Sequence, residues 1–228
     1  MTDRSRLCRA GAEAARACLL LQARYAIDAG IDLVQVRERD LDTADLAATV
    51  SAVIAMARGT RTRILVNDRV DVALACGAAG VHLRTDSVPA AAVRSIAPPQ
   101  FVIGRSVHTV SEAVAAGTAV DYLIAGTVWP TLGKPANQPV LGIGGFSDIV
   151  RAASVPVLAI GGVTLDRAGD VAARGGAGIA GIGLFMASEI GTENHPCRAV
   201  ALVEMAAAAR AQFGTSATAP TRNRRQLP

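Results

Sequence analysis

Val155-Pro156-Val157-Leu158-Ala159-Ile160-Gly161-Gly162-Val163 decides the fold. Its apolar run, held between Pro156 and a glycine pair, reads as a strand buried on both faces. Such a strand belongs in a parallel sheet covered by helices. The glycines at its C-terminal end let the backbone turn sharply and bring bare N–H groups close to a ligand. One helix length later, Gly178-Ile179-Ala180-Gly181-Ile182-Gly183 repeats the pattern. One glycine pair alone would mean only a tight turn. Two consecutive βα units with glycine exits match the phosphate cup that (β/α)8 barrels place after their last two strands.

Working outward, short apolar runs at 32–37, 63–67, 80–83, 101–104 and 122–126 read as five earlier strands. Helical patterns separate them: 5–29, 43–58, 70–76, a stretch opened by Pro89, 110–116 and 146–153, with 196–213 closing the chain. With the helix between the two cup strands, this makes seven strands and eight helices, and no strand precedes the first helix. The expected fold is therefore an α/β (β/α)8 TIM barrel whose first strand is missing or truncated at the N-terminus. We expect the natural protein to begin upstream with an apolar strand of about five residues. Residues 1–213 form a single barrel domain on this reading. Residues 214–228, rich in Ser, Thr, Pro and Arg, read as a disordered tail.

Composition agrees and excludes other classes. The 228 residues suit one barrel, and 51% apolar content with 3% aromatic means a core of Ala, Val, Leu and Ile. The net charge of +4 is modest, and Arg222, Arg224 and Arg225 lie in the tail. No basic stripe with interleaved aromatics is present, which argues against nucleic acid. Cys18-Leu19-Leu20-Leu21 is too short to cross a bilayer and runs directly into Gln22, so no membrane association is expected. Cys8, Cys18, Cys76 and Cys197 show no metal-binding spacing and suit free thiols in a reducing cytoplasm. A homo-oligomer is compatible with this composition.

Polar residues gather at the C-terminal strand ends, where barrel enzymes keep their chemistry. They include Gln35, Arg37, Glu38 and Arg39; Asn67, Asp68 and Arg69; His82, Arg84, Asp86 and Ser87; Ser106 and His108; and Thr127, Thr131 and Lys134. The cations among them suit an anionic, phosphorylated small molecule. A structural alternative is an ion-pair ring of Arg37, Asp68 and Arg69 around the barrel mouth. His82 reads as a strand residue with a satisfied hydrogen bond, and Trp129 as loop packing.

The segments Gln35-Val36-Arg37-Glu38-Arg39, Val66-Asn67-Asp68-Arg69, Gly80-Val81-His82-Leu83, Gly104-Arg105-Ser106-Val107-His108-Thr109, Asp121-Tyr122, Pro130-Thr131, Lys134-Pro135 and Ala159-Ile160-Gly161-Gly162 resemble, in order, the thiamine phosphate synthase and thiazole tautomerase family. The resemblance runs from about Asp32 to Phe185. It implies a transferase of thiamine biosynthesis that joins hydroxymethylpyrimidine diphosphate to thiazole phosphate and releases diphosphate, with Mg²⁺ as cofactor. It further implies that Gln35 and Arg37 meet the pyrimidine diphosphate, Asn67 the diphosphate, and Asp68 the metal. Ser106 would face the pyrimidine, Thr131 the thiazole phosphate and Lys134 the leaving diphosphate. Gly161, Gly162, Ile182 and Gly183 would line the thiazole phosphate cup.

Four positions depart from the family pattern. Ser87 stands where a second metal-binding Asp is usual, with Asp86 one residue earlier as a substitute if the loop shifts. Arg39 replaces a Lys at the substrate, keeping charge but not shape. Gly133 replaces a second Thr, and Thr127 takes the place of the tautomerase His. The expected activity is the synthase. The alternatives are a tautomerase-like paralogue and a non-catalytic thiazole phosphate-binding protein.

Overall fold

The structure, a computed structural model, describes residues 1–8, 11–131, 139–185 and 195–213. Lys134, Gly133 and the 214–228 tail lie outside the described residues.

Seven strands form one sheet in sequential order: β1 (Leu33–Val36), β2 (Arg63–Asn67), β3 (Gly80–Leu83), β4 (Val102–Val107), β5 (Tyr122–Gly126), β6 (Val157–Ile160) and β7 (Gly178–Ala180). Every pairing is parallel. The helices between and around them are α1 (Arg4–Leu7), α2 (Ala12–Asp28), α3 (Thr43–Ala57), α4 (Val70–Ala75), α5 (Ala90–Ile96), α6 (Val110–Ala116), α7 (Gly142–Ala152), α8 (Leu165–Ala173) and α9 (His195–Phe213). A single 3-10 turn, Gly183–Phe185, follows β7.

The period of two along each strand builds two cores. Ile64 and Val66, Leu123 and Ala125, and Val157 and Ala159 face the helices in a large aliphatic cluster. The alternate residues Leu65, Tyr122 and Ile124, with Leu158 and Ile160 against them, fill the concave side. At Gly80 and Gly104 a Cβ would collide with Val102 O at 2.0 Å and the Tyr122 ring at 2.2 Å, so these two positions have no room for a side chain.

Three expected boundaries are corrected. The single helix over 5–29 is two, α1 and α2, and Gly11 at φ +110°, where L side chains are rare, stands immediately before the second. Strand β4 continues to Val107 because Arg105, Ser106 and Val107 keep their pairing with β5. Helix α7 starts at Gly142 rather than at Phe146. Ile143, Phe146 and Ile149 lie three apart and pack into the core, which outweighs the poor helix propensity of its glycines.

The absent first strand is visible in the sheet: β1 and β7 are its two edges and do not pair with each other. Residues 1 and 2 bridge these edges at one end. The Met1 ammonium donates to Gly181 O at 3.0 Å, and Thr2 N donates to Gln35 O at 2.9 Å. Beside them lies a cavity of about 400 Å³ lined by Leu33, Val34, Leu65, Ile179 and Phe213 among others. The molecule is a parallel α/β half-barrel whose sheet ends at β1 and β7.

Candidate active site

The strands end on one rim, and the functional side chains follow from their register. Val36 pairs with Val66, and Asn67 with His82, so Arg37, Asp68 and Leu83–Arg84 leave the sheet side by side. Gln35, buried at the end of β1, donates from Nε2 to Asn67 Oδ1 at 2.9 Å and fixes that amide. Asp68 turns the chain at φ +63°, a conformation to which Asp is among the better suited non-glycine residues. Ser87 Oγ donates to Asp68 Oδ1, and Arg84 Nη1 lies 3.7 Å from Asp68 Oδ2. Asp86 pairs with Arg84 Nη2 at 2.5 Å, the same guanidinium that faces Asp68.

The guanidinium of Arg37 lies 3.8 Å from Asp3. Burial, and after it the nearby Arg39 and Arg84 charges, push the Arg37 pKa below its ordinary value, although Asp3 and Glu38 oppose this. Arg39 is exposed and makes no ion pair among the described residues. Arg69 pairs with Asp71 at 2.6 Å, so the ion-pair ring of Arg37, Asp68 and Arg69 does not form. Glu38 is structural: it accepts from Thr2 Oγ1 at 2.6 Å and from Arg4, fastening the N-terminal residues to β1.

Deeper in the half-barrel, His82, Gly104 and Tyr122 are successive partners across β3, β4 and β5. Because Gly104 has no side chain, Tyr122 reaches past it, and its hydroxyl lies 3.0 Å from His82 Nδ1. His82 Nε2 lies 2.9 Å from Ser106 Oγ. Burial, and secondarily the N-terminal ammonium, lower the His82 pKa to about 3, so the ring is neutral. Burial, then Asp121, raise that of Tyr122. The line Tyr122–His82–Ser106 thus holds the Ser106 hydroxyl from behind. Asp121 itself is structural, accepting from Arg94 at 2.6 Å and from Ile103 N at 2.8 Å.

The glycine exits lie at the other end of the sheet. Gly161 (φ +93°) and Gly162 (φ +62°) need left-handed backbone, and a Cβ on either would strike Thr127 or Pro130 O at 2.5 Å. Among the described residues no acceptor faces the N–H of Gly161, Gly162 or Gly183. Thr131 Oγ1 donates to Trp129 O at 3.2 Å, and Ile182 is half-buried beside Gly183. Trp129 packs under Arg167, whose Cζ lies 5.1 Å from the ring centroid, and Arg167 also donates to Gly162 O at 2.6 Å. The sequence reading missed Arg167, the role of Arg84 and that of Tyr122. Only the glycine opposite Tyr122 hinted at any of them.

A half-barrel with arginines over β1–β3, a held serine on β4 and glycine exits after β6 and β7 defines a phosphate-handling α/β-barrel protein. Comparison with known proteins narrows this. The family model described as thiamine monophosphate synthase matches residues 8–185. The thiamine-phosphate synthase of Methanospirillum hungatei is 40% identical over 167 residues, 73% of this chain and 81% of that protein. That of Methanoregula boonei is 41% identical over 159 residues, 69% of this chain and 74% of the relative. Among solved structures, the thiamine phosphate pyrophosphorylase from Pyrococcus furiosus superposes with a TM-score of 0.73 at 28% identity, covering 93% of this chain and 92% of its own. The chain belongs to the thiamine monophosphate synthase family.

Proposed function

We propose that this protein is a thiamine phosphate synthase, a transferase of thiamine biosynthesis that uses hydroxymethylpyrimidine diphosphate and thiazole phosphate. The C–O bond between the pyrimidine methylene and diphosphate breaks, and its electron pair leaves on the diphosphate oxygen. The thiazole nitrogen forms a C–N bond to that methylene, giving thiamine phosphate and diphosphate. The observation that carries this reading is that Arg37, Arg39 and Arg84 follow β1 and β3 while Gly161, Gly162 and Gly183 follow β6 and β7, all at the C-terminal strand ends of one sheet. Arginines over β1–β3 would take the diphosphate, glycine N–H groups after β6 and β7 the thiazole phosphate, and Ser106 stands on the strand between them.

Departure of diphosphate leaves positive charge on the pyrimidine methylene, so the enzyme's task is mainly to stabilise negative charge on the leaving group. Arg37 and Arg39 would clamp that group with Lys134, while Asn67, held by Gln35, donates to it. Ser106 meets the pyrimidine; Thr131, Gly161, Gly162, Ile182 and Gly183 receive the thiazole phosphate. Mg²⁺ is part of the proposal. Asp68 offers one carboxylate beside the Ser87 hydroxyl, and Mg²⁺ is commonly held by one or two carboxylates plus substrate phosphates. Asp68 would hold such an ion, which neutralises charge on the leaving group. The free thiols of Cys8, Cys18 and Cys76 suit a cytoplasmic setting. A tautomerase-like activity lacks its characteristic His, whose place is taken by Thr127 beside Gly161.

The test is the initial rate of thiamine phosphate formation by the wild type, Arg37→Ala and Ser106→Ala. Each substitution should lower kcat by about 10²-fold or more, the scale of lost transition-state hydrogen bonds. Wild-type rates in both variants would remove the assignment.

A further inference from the structure

Arg84 lies outside the expected clamp, yet its side chain bridges Asp68 and Asp86. It is the first residue after β3. Its backbone N–H donates to Ser87 Oγ at 2.7 Å, and Ser87 N returns a bond to Arg84 O at 3.3 Å, so residues 84–87 close on themselves. The guanidinium then projects to Asp86 at 2.5 Å and toward Asp68 at 3.7 Å, with its side chain 42% exposed. Thr85 on the same turn is pinned by Arg105 Nη2 at 2.8 Å. Asp68 thus has a hydroxyl on one oxygen and a guanidinium beside the other. Among the described residues no three His, Cys, Asp or Glu side chains converge as a metal site.

We propose that Arg84 is a binding residue for the diphosphate, its guanidinium standing between Asp68 and Asp86 and supplying positive charge there whether or not a metal is present. This rests on the reading that the diphosphate lies over β1–β3. The chemistry suits an arginine. It is charged at every physiological pH, and its planar fork can give two parallel N–H bonds to phosphate oxygens. Arg37, Arg39 and Arg84 issue from neighbouring strand ends, β1 and β3 flanking β2. The Arg39 and Arg84 charges are near enough to act on Arg37.

Calorimetry with inorganic diphosphate, on the full chain, tests this in chelator and in excess Mg²⁺. The wild type should bind measurably in chelator, and Mg²⁺ should tighten that binding. Arg84→Gln should weaken binding in chelator about tenfold or more, the worth of a lost charged hydrogen bond. Arg84→Lys should fall between, keeping charge but not the fork. The double change Arg84→Gly with Ser87→Asp should bind only with Mg²⁺. Thermal melts of Arg84→Gln should match the wild type, because the side chain is partly exposed. Wild-type binding that needs Mg²⁺, or equal affinity of Arg84→Gln and wild type in chelator, would overturn the proposal. The readout needs no catalysis: Arg84-dependent binding without product formation would defeat the synthase reading and leave this one standing.

Discussion

His82 carries two consequences beyond its place in the strand. Its pKa is about 3 in the folded protein against 6.5 in a solvated chain. Between these values only the unfolded chain takes up the proton. Stability from this site is therefore whole above about pH 6.5 and lost as pH falls toward 3, at up to about 1.4 kcal/mol per pH unit. His82→Gln should remove that slope from urea unfolding measured between pH 6.5 and 4; an unchanged slope would assign it to carboxylates. The second consequence is direction. Among the described residues the Tyr122 hydroxyl has one partner, His82 Nδ1, so its proton goes there. Nε2 then carries the ring proton and donates to Ser106, leaving the Ser106 proton for an acceptor on the ligand. Nitrogen NMR should find His82 neutral with the proton on Nε2, and Tyr122→Phe should relax that preference. A wild-type ring protonated on Nδ1 would contradict the relay. The sequence showed His82 as a strand residue with a satisfied hydrogen bond, but not its partners. Tyr122 and His82 are forty positions apart and meet only because Gly104, between them in register, has no side chain.

At the scale of elements, the glycine exits were readable because two consecutive apolar runs, one helix apart, each end in glycine; one pair alone would mean only a tight turn. The structure adds why both must be glycine: positive φ, and backbone or side-chain atoms where a Cβ would sit. Gly162→Asp should weaken thiazole phosphate binding by more than tenfold in calorimetry, through strain and like charge. Equal affinity would remove the cup from the site. Gly104→Ala should cost about 1–3 kcal/mol in chemical denaturation, because overpacking forces the Tyr122 ring away from His82. An undiminished stability would show that the ring yields freely. The boundaries of β4 and α7 were the less readable part. Arg105 and Ser106 extend a strand by pairing, and α7 overrides its glycines by packing Ile143, Phe146 and Ile149. Both are tertiary effects that local pattern does not carry.

For the whole molecule, strand count and order were legible, because each buried parallel strand is an unbroken aliphatic run and each connection a helix. The open seam was legible too, as a helix with no strand before it. What the sequence could not display is its shape: two unpaired edges bridged at one end by residues 1 and 2, beside an apolar cavity. An apolar five-residue segment fused ahead of Met1 should pair with both edges and raise the thermal midpoint by several degrees, since 1 kcal/mol corresponds to about 2–4 °C at this size. An equal midpoint would show that the half-barrel gains nothing from closure. On the proposed function, the arginine end and the glycine end of this rim serve one joining reaction. It is tested most directly by counting both products in a single time course with both substrates. Thiamine phosphate and diphosphate should appear in equal amounts, and neither when either substrate is omitted. Diphosphate released without thiamine phosphate, or no turnover of either substrate, would contradict it.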